Sequence, residues 1–507
     1  MRRFGSIGLA LALVASSSLA QDKKPAAPAA AANEKPAEPV EKIIPQKHST
    51  KLSGTFGGQR VNYTATIGET ILAGDDGTQK AAIVTTAYVK DGRDPNRPVT
   101  FLFNGGPGSG SVWLQKGAFG PKRVAIPSDA RDDGAPPYPI VDNPGSLLDV
   151  TDLVFIDPPG TGFSHLIGKT EGKEFYGVAA DAKAVAEVIR RWLSDNNRWN
   201  SPHYLGGESY GTSRSAAVVN ELANKTFNDV GLNGIILIST ILDFGAGADT
   251  PGNELSVITN LPSMAATALY HGKASAPSVE IFVDEARAWA IGPYATFLLK
   301  GQKAAPEERA AIRRQLARFT GLSEAFLDRA DLRVSPDRFY KELLRDRGQT
   351  IGRLDTRYTG KDYDNAGEGP DNDPSFYGID AGYTAAVNSW ERGTLGFVTD
   401  REYQSISNLI GEWDWRIPGG RDSNAYLNLT PYLGTALREN KDLRIFVGQG
   451  YYDFATPFFA AEYALSRPGI PQDRVEFHYY QSGHMMYVRD QDRAKLAADI
   501  RAFIKRR

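Results

Sequence analysis

Two β-rich runs near the start of the chain predict a hairpin. Apolar and polar residues are mixed through Arg60–Leu72 and Lys80–Lys90, and a Gly-Asp-Asp-Gly turn sequence at 74–77 separates the two runs. Farther along, the apolar run Leu153–Asp157 is continuous, as in a central parallel strand. Further strands are predicted at Val99–Phe103, His203–Gly206, Gly234–Thr240, Leu443–Gly448 and Arg474–Tyr480.

Helical periodicity alternates with these strands. Apolar residues recur on one helical face of Phe175–Leu193, at Val178, Ala182, Val185, Ile189 and Trp192, and we interpret that face as core. Helices are also predicted at Thr212–Ala223 and, closing the chain, at Gln491–Lys505. This alternation indicates an α/β fold in which helices cover both faces of a mostly parallel sheet.

An inserted helical region is predicted between about Phe244 and Leu433. Strand signals fade there, and helical periodicity is clear at Val279–Leu299 and Pro306–Phe319. We interpret this region as a lid. A lid beside the strand ends encloses one side of a binding site and selects substrates. The predicted organisation is therefore core at 47–243, helical insertion at 244–433, and core again at 434–507.

The first 46 residues have a different composition. Arg2 and Arg3, an apolar run at 7–14 and small residues around Ala20 predict a signal peptide at 1–20 and export to the periplasm or the medium. The apolar run is too short to span a bilayer, so no membrane span is predicted. An Ala/Pro-rich stretch at 21–46 is predicted to be a disordered linker.

Charge and cysteine content exclude several classes of function. The 507 residues have a formal net charge of −2, so nothing attracts nucleic acid or an anionic membrane, and neither partner is expected. The absence of cysteine removes disulfides, thiol catalysis and thiolate metal sites. Packing alone must stabilise the fold.

The most informative motif is Gly-Glu-Ser-Tyr-Gly at 207–211. It follows a predicted strand and precedes a predicted helix, and this context is typical of a nucleophile elbow with Ser209 at the apex. A serine hydroxyl becomes nucleophilic only when a base accepts its proton, and a histidine held by a carboxylate is the usual base.

His484 and Asp453 are predicted to complete this arrangement. Each follows a predicted strand on a loop, and the order Ser209, Asp453, His484 is that of α/β-hydrolases. Asp243 is the second candidate for the acid, with a turn or helix cap as its alternative role. The other histidines are weaker candidates for the base: His48, His165, His203, His271 and His478.

The Asn-Gly-Gly-Pro-Gly loop at 104–108 is predicted to supply backbone N–H groups to a developing oxyanion, together with the N–H of Tyr210. A nucleotide-binding loop is the alternative, but no Gly-Lys-Ser/Thr follows. An acidic stretch at 362–373 is faintly similar to a calcium loop, but Ala366 replaces a ligand, so we interpret it as a solvated loop. No metal and no cofactor are predicted.

Four segments taken together resemble the serine carboxypeptidase family. They are Asn-Gly-Gly-Pro-Gly at 104–108, Ile-Asp-Pro-Pro-Gly-Thr-Gly-Phe-Ser at 156–164, Gly-Glu-Ser-Tyr-Gly at 207–211 and Gly-His-Met at 483–485. The resemblance extends from about Pro98 to the C-terminus. It implies an α/β-hydrolase core and the release of single residues from peptide C-termini through an acyl-enzyme.

The resemblance also implies a role for individual residues. The nucleophile falls on Ser209, the acid on Asp453 and the base on His484, in agreement with the reasoning above. The other implied groups are oxyanion donors at Gly106 and Tyr210, a clamp for the substrate's terminal carboxylate at Asn104, Gly105 and Glu208, and a leaving-residue pocket at Trp113 and Met485. Glu208 can donate a hydrogen bond to a carboxylate only while it is protonated. We therefore expect kcat/KM for free-acid peptides to fall as pH rises toward neutrality, while esters or amides of the same peptides keep their rates.

One departure from the family pattern leaves alternatives open. The family has a second acidic clamp residue after its glycine loop, and this chain has Ala118 there. Strict exopeptidase specificity is therefore in doubt, and an esterase or acyltransferase on the same triad is one alternative. A non-catalytic binding protein on a hydrolase scaffold is another. The predicted partners are peptide substrates.

Overall fold

A ten-stranded sheet lies at the centre of the described residues in a computed structural model of the protein. The structure describes residues 42–92, 94–223, 228–417 and 426–506. The predicted signal peptide at 1–20 lies outside the described residues, as does most of the predicted linker at 21–46. Contacts group Ile43–Arg507 into one compact unit.

The strands divide between the main sheet and two small pairs. In chain order they are β1 (Lys47–Phe56), β2 (Gln59–Ala73), β3 (Gln79–Lys90), β4 (Val99–Phe103), β5 (Lys122–Val124), β6 (Ile140–Asp142), β7 (Asp152–Ile156), β8 (His165–Leu166), β9 (His203–Ser209), β10 (Gly234–Thr240), β11 (Thr350–Ile351), β12 (Thr359–Gly360), β13 (Arg444–Gly450) and β14 (Val475–Tyr480). β5 pairs with β6, β11 pairs with β12, and β8 adds to β3.

The strand order of the main sheet is β1-β2-β3-β7-β4-β9-β10-β13-β14. β1, β2, β3 and β7 are antiparallel neighbours, whereas β7, β4, β9, β10, β13 and β14 are mutually parallel. The chain runs from β4 to β7 in one direction and then crosses to β9 on the other side of β4. The carboxyl ends of β4 and β9 therefore border a topological switch point, where open α/β sheets bind their ligands.

Helices cover both faces of this sheet and fill the segment between β10 and β13. They are α1 (Val178–Asp195), α2 (Tyr210–Ala223), α3 (Glu254–Tyr270), α4 (Val279–Trp289), α5 (Ala295–Lys300), α6 (Pro306–Thr320), α7 (Glu324–Arg329), α8 (Pro336–Glu342), α9 (Pro374–Tyr377), α10 (Asp380–Asn388), α11 (Thr430–Glu439), α12 (Phe458–Leu465) and α13 (Asp490–Lys505). No helix in the described ranges is both long enough and apolar enough to cross a bilayer.

Buried apolar clusters on the two faces hold the layers together. On one face the apolar stripe of α1 packs with α2 against the sheet, and its five predicted core residues are all buried. On the other face α13 packs against β13 through Phe446 and Phe503. A third cluster lies among the helices between β10 and β13 and includes Phe454, next to Asp453.

The sequence predicted most of these elements. The hairpin of β2 and β3, the strands around Ser209 and the closing helix are confirmed within a few residues. The helix predicted at Val279–Leu299 is interrupted by a π-helical turn at Ala290–Tyr294, where Pro293 cannot donate a helical hydrogen bond. Six of the described strands were not predicted: β1, β5, β6, β8, β11 and β12. The mostly parallel sheet with its flanking helices is the predicted α/β-hydrolase fold.

Candidate active site

Ser209 lies at the junction of β9 and α2. Its φ is 61°, a left-handed conformation that costs energy for a residue with a Cβ atom and that clusters at functional sites. The tight turn requires glycine on both sides. A Cβ on Gly207 would lie 2.1 Å from the carbonyl oxygen of Gly211, and one on Gly211 would lie 2.9 Å from that of Phe103. The sequence thus forces the Ser209 side chain out of the turn.

The glycine loop after β4 packs directly against this turn. A Cβ on Gly105 would lie 2.5 Å from the backbone nitrogen of Tyr210, so only glycine allows the approach. Asn104 is buried, and its Oδ1 accepts a 3.0 Å hydrogen bond from the N–H of Leu114. Arg214 Nη1 donates a 2.5 Å hydrogen bond to the carbonyl of Asn104. Two hydrogen bonds to Asn104 therefore hold the start of the loop beside Ser209.

Asp453 and His484 lie on the loops that follow β13 and β14. Asp453 is fully buried, and its Oδ2 lies 2.8 Å from His484 Nδ1. The other carboxylate contacts are hydrogen bonds from the N–H groups of Ala455 and Thr456, at 2.8 and 3.0 Å, and from the Thr456 hydroxyl at 2.7 Å. An ionised carboxylate holds a proton on Nδ1 and leaves Nε2 free to act as a base.

Electrostatics near His484 favour the protonated imidazole. Burial has the largest single effect and opposes the charge, but the carboxylates of Asp453 and, less strongly, Glu208 together outweigh it and raise the pKa of His484. The backbone of His484 is fixed on two sides. Its N–H donates a 2.7 Å hydrogen bond to the carbonyl of Leu354, and its own carbonyl accepts one of 2.6 Å from the Ser239 hydroxyl.

A cavity of about 580 Å³ joins these parts. Of the predicted site residues it is lined by Asn104, Gly105, Gly106, Trp113, Glu208, Ser209, His484 and Met485. Asp453 lies behind His484. Tyr210 is not in the cavity wall, and its hydroxyl accepts a 3.1 Å hydrogen bond from Trp413 Nε1. Trp113 and Met485 are mostly buried in the cavity wall.

Glu208 is buried beside the nucleophile. Tyr487 donates a 2.7 Å hydrogen bond to Glu208 Oε2. Burial raises the pKa of Glu208 to about 7, with a smaller upward effect from Asp453, while His484, Tyr487 and Asn104 lower it. The buried Asn104 Nδ2 atom lies close enough to Glu208 to lower its pKa, but it forms no hydrogen bond of good geometry with any of the described residues. Glu208 and Asn104 thus offer a titratable carboxyl and an unused donor at one edge of the cavity.

Tyr487 and Thr456 are site residues that sequence reasoning missed. Each lies three residues beyond a predicted triad member, and Thr456 could have been found from this spacing, because threonine often bonds to a nearby aspartate in turns. Tyr487 lies next to the Gly117–Ala118 segment, where the family has its second acidic clamp residue. Its ring would lie 2.6 Å from a Cβ on Gly117, the neighbour of Ala118, so small residues there make room for the phenol.

The weaker candidates have structural roles. Asp243 caps a helical turn by accepting from the N–H of Gly245 at 3.0 Å, and Asn428 Nδ2 also donates to it. None of the alternative histidines is in the cavity wall: His48, His165, His203, His271 and His478. In the acidic stretch at 362–373, Asp362 pairs with Lys341. The described residues contain no group of three or more acidic or histidine side chains arranged for a metal.

Comparison with known proteins agrees with the resemblance predicted from the motifs. The family model described as serine carboxypeptidase matches residues 87–254, which include the glycine loop and Ser209 but end before Asp453 and His484. A search of curated protein sequences found no significant match.

Solved structures similar to this chain include several bacterial hydrolases. Proline iminopeptidase from Mycobacterium smegmatis is 12% identical with a TM-score of 0.35, over 86% of this chain and 97% of that chain. An esterase from a Rhodococcus species is 14% identical with a TM-score of 0.35, over 86% and 98%. A putative hydrolase from Agrobacterium vitis is 11% identical with a TM-score of 0.35, over 91% and 100%. These likenesses are too low to carry an argument about function.

The strand order of the sheet and the family match are independent observations. Both agree with the fold and family that the motifs predict. Three of the four motifs lie within the matched segment, and over that segment the predicted resemblance is confirmed. Residues 87–254 match the serine carboxypeptidase family model, and the described residues form an α/β-hydrolase fold.

Proposed function

We propose that this protein is a serine-type carboxypeptidase that releases C-terminal residues from peptides through an acyl-enzyme. The observation that carries the proposal is the pair of groups beside Ser209 and His484: the unused donor on Asn104 and the protonatable carboxyl of Glu208. A peptide's terminal carboxylate requires hydrogen-bond donors next to the nucleophile, and charge-assisted bonds of this kind are strong.

Acylation uses the Ser209 turn and the two loops. Ser209 Oγ attacks the scissile carbonyl while His484 Nε2 accepts its proton, and Asp453 stabilises the resulting imidazolium through the 2.8 Å contact at Nδ1. Backbone N–H groups of Gly106 and Tyr210 donate to the oxyanion of the tetrahedral intermediate. The proton on His484 then moves to the leaving nitrogen as the C–N bond breaks.

Deacylation repeats the proton transfers with water. His484 Nε2 takes a proton from a water molecule as its oxygen attacks the acyl carbon, and the proton returns to Ser209 Oγ as the ester bond breaks. During acylation, Asn104, Gly105 and protonated Glu208 hold the terminal carboxylate of the residue that leaves. This hold selects the last peptide bond of a chain.

A peptide panel tests the proposal directly. Peptides with free and amidated C-termini are incubated with the protein and the products are read by mass spectrometry. We expect stepwise loss of single residues from free-acid peptides at mildly acidic pH, and no such products from the Ser209→Ala variant. Internal cleavage, or equal processing of free and amidated peptides, contradicts exopeptidase activity.

The same panel, with esters of these peptides and an alcohol acceptor included, separates the alternatives. Ester hydrolysis or acyl transfer without release of amino acids would assign the triad to an esterase or acyltransferase, as the absence of an acid at Ala118 allows. Labelling with a fluorophosphonate addresses the non-catalytic alternative. We expect one label for each chain, lost in Ser209→Ala, whereas a protein that never takes up the label belongs to the binding class.

We also propose that the protein is exported, on the basis of the N-terminal pattern at 1–20 alone. Fractionation of cells that express the full chain, with N-terminal sequencing of the product, tests this proposal. The expected product begins after Ala20 and is found outside the cytoplasm. Recovery of the intact N-terminus in the cytoplasmic fraction contradicts it.

A further inference from the structure

Five ionisable side chains line the cavity around Ser209: Glu208, Arg353, Asp373, Asp380 and His484. Glu208 and His484 have the partners described above. The carboxylate of Asp373 is also satisfied, because it accepts hydrogen bonds from the backbone N–H groups of Arg353 and Ser375 at 3.0 and 2.9 Å. Two charges in the cavity wall remain, on Arg353 and Asp380.

These two charges differ in their exposure. The side chain of Arg353 is exposed, so water solvates its guanidinium. Asp380 is half-buried, and its carboxyl forms no hydrogen bond or ion pair with any residue in the described ranges. Burial raises the pKa of Asp380, and the nearby Asp133 raises it further. A half-buried carboxylate without a partner is unfavourable by itself, and a cationic ligand relieves that cost.

Apolar side chains surround Asp380 in the wall. Phe376 and Ile379 precede it and line the same cavity. Tyr383, which lies three residues later and thus on the same side of α10, packs edge-on against Trp113 with ring centroids 5.1 Å apart. Asp380 is therefore connected through one helical turn to Trp113, which belongs to the expected leaving-residue pocket.

We propose that Asp380 is the charged end of a subsite that binds a basic side chain, lysine or arginine, on the residue released by the enzyme. This inference rests on the proposed carboxypeptidase function. A basic side chain has an apolar stem and a cationic tip, and the subsite offers an apolar wall and one unpaired anion in the same order. Asp133 adds negative potential, because no cation pairs with it among the described residues.

A metal ion fits this site less well. Asp133 Oδ2 already accepts a 2.8 Å hydrogen bond from the N–H of Gly382, and no third ligand of the histidine, aspartate or glutamate type lies within the described part of the chain at this point. A single free carboxylate suits an ammonium or guanidinium group better than a divalent cation, which requires several oxygen ligands.

The test compares peptides that end in lysine with matched peptides that end in norleucine, which has the apolar stem without the charge. We expect wild type to prefer lysine. The ratio of the two kcat/KM values should fall about 10- to 100-fold in Asp380→Asn, as for loss of a hydrogen-bonded charge pair. Arg353→Gln is the matched control in the same cavity, and its ratio should not fall.

A measurement on wild type alone guards against a variant that does not fold. Because a partly exposed ion pair is screened by salt, the preference for lysine should weaken between low and high ionic strength, while kcat/KM for norleucine changes little. A wild-type ratio of one or less overturns the inference, and so does an unchanged ratio in folded Asp380→Asn. If neither peptide loses its C-terminal residue, the proposed function fails instead.

Discussion

The hydroxyl of Tyr487 donates a 2.7 Å hydrogen bond to Glu208 Oε2. The serine carboxypeptidases that this chain resembles have a second acid at the position of Ala118, whereas in this chain a phenol donates to Glu208. The two arrangements differ in their effect on protonation. Two adjacent acids can share one proton, whereas a phenol that donates to a carboxylate stabilises the ionised form. This relationship leads to the first prediction.

Replacing Tyr487 with phenylalanine should raise the pKa of Glu208 above about 7, because the variant loses a donor that stabilises the carboxylate. Glu208 then keeps its proton to higher pH. For free-acid peptides, the alkaline fall in kcat/KM should move upward by about one pH unit, given the usual strength of a hydrogen bond to a charged group. Esters of the same peptides are the control, and their profile should not move. A downward shift would contradict the assignment.

Glu208→Gln should change how stability depends on pH. A carboxyl whose folded pKa is raised from 4.5 to about 7 adds stability that is fully present below pH 4.5 and is lost as pH rises through about 7. The shift corresponds to roughly 3 kcal/mol. Denaturant unfolding at pH 4.5 and pH 8 should therefore show a larger drop in the free energy of unfolding for wild type than for Glu208→Gln. Equal drops would mean that Glu208 is ionised in the folded protein.

Thr456→Val should lower kcat about tenfold and leave KM nearly unchanged, because it removes one hydrogen bond to the Asp453 carboxylate. Thr456→Ser keeps the hydroxyl and should restore most of the rate. Steady-state kinetics on a free-acid peptide and on an ester measure both effects. If valine and serine behave alike, the hydroxyl does not position Asp453.

Arg214→Met should destabilise the protein by about 3–5 kcal/mol, because it leaves the buried carboxylate of Asp181 without its partner at 2.6 Å. It also removes the donor to the carbonyl of Asn104, so activity should fall. The double variant Arg214→Met/Asp181→Leu separates the effects. It should recover most of the stability measured by urea unfolding, whereas kcat/KM stays low. Recovery of both would show that Arg214 does not hold the glycine loop.

Much of the fold was predictable because its signals are local. A strand, a glycine-flanked serine and a helix lie next to one another in the chain, and a Cβ on Gly207 would meet Gly211 only four residues away. The same holds for Asp453 and His484, since each follows a strand of a parallel sheet and the carboxyl ends of such strands lie along one edge. Their order along the chain was enough to predict that they approach each other.

The contacts that tune the site were not predictable in this way. Tyr487 and Glu208 are 279 residues apart in the chain, and no periodic pattern connects them. Leu354 lies in the long segment between β10 and β13, yet its carbonyl anchors the backbone of His484. Asp380 is one of 60 acidic residues, and only the packing around it shows that its carboxyl has no partner in the described part of the chain. β1 was missed because it is an edge strand with mostly exposed or half-buried residues, so its sequence lacks a clear apolar pattern.

The sequence by itself determined the α/β fold, the Ser209 turn and the residue types available for a triad, because hydrophobic periodicity and backbone sterics act between near neighbours. Only the tertiary structure decided which carboxyls are buried, which donors are unused and which charges face the cavity. The physical reason is that protonation and pairing depend on the local dielectric and on distances of a few ångströms, and these are defined only when distant segments pack together.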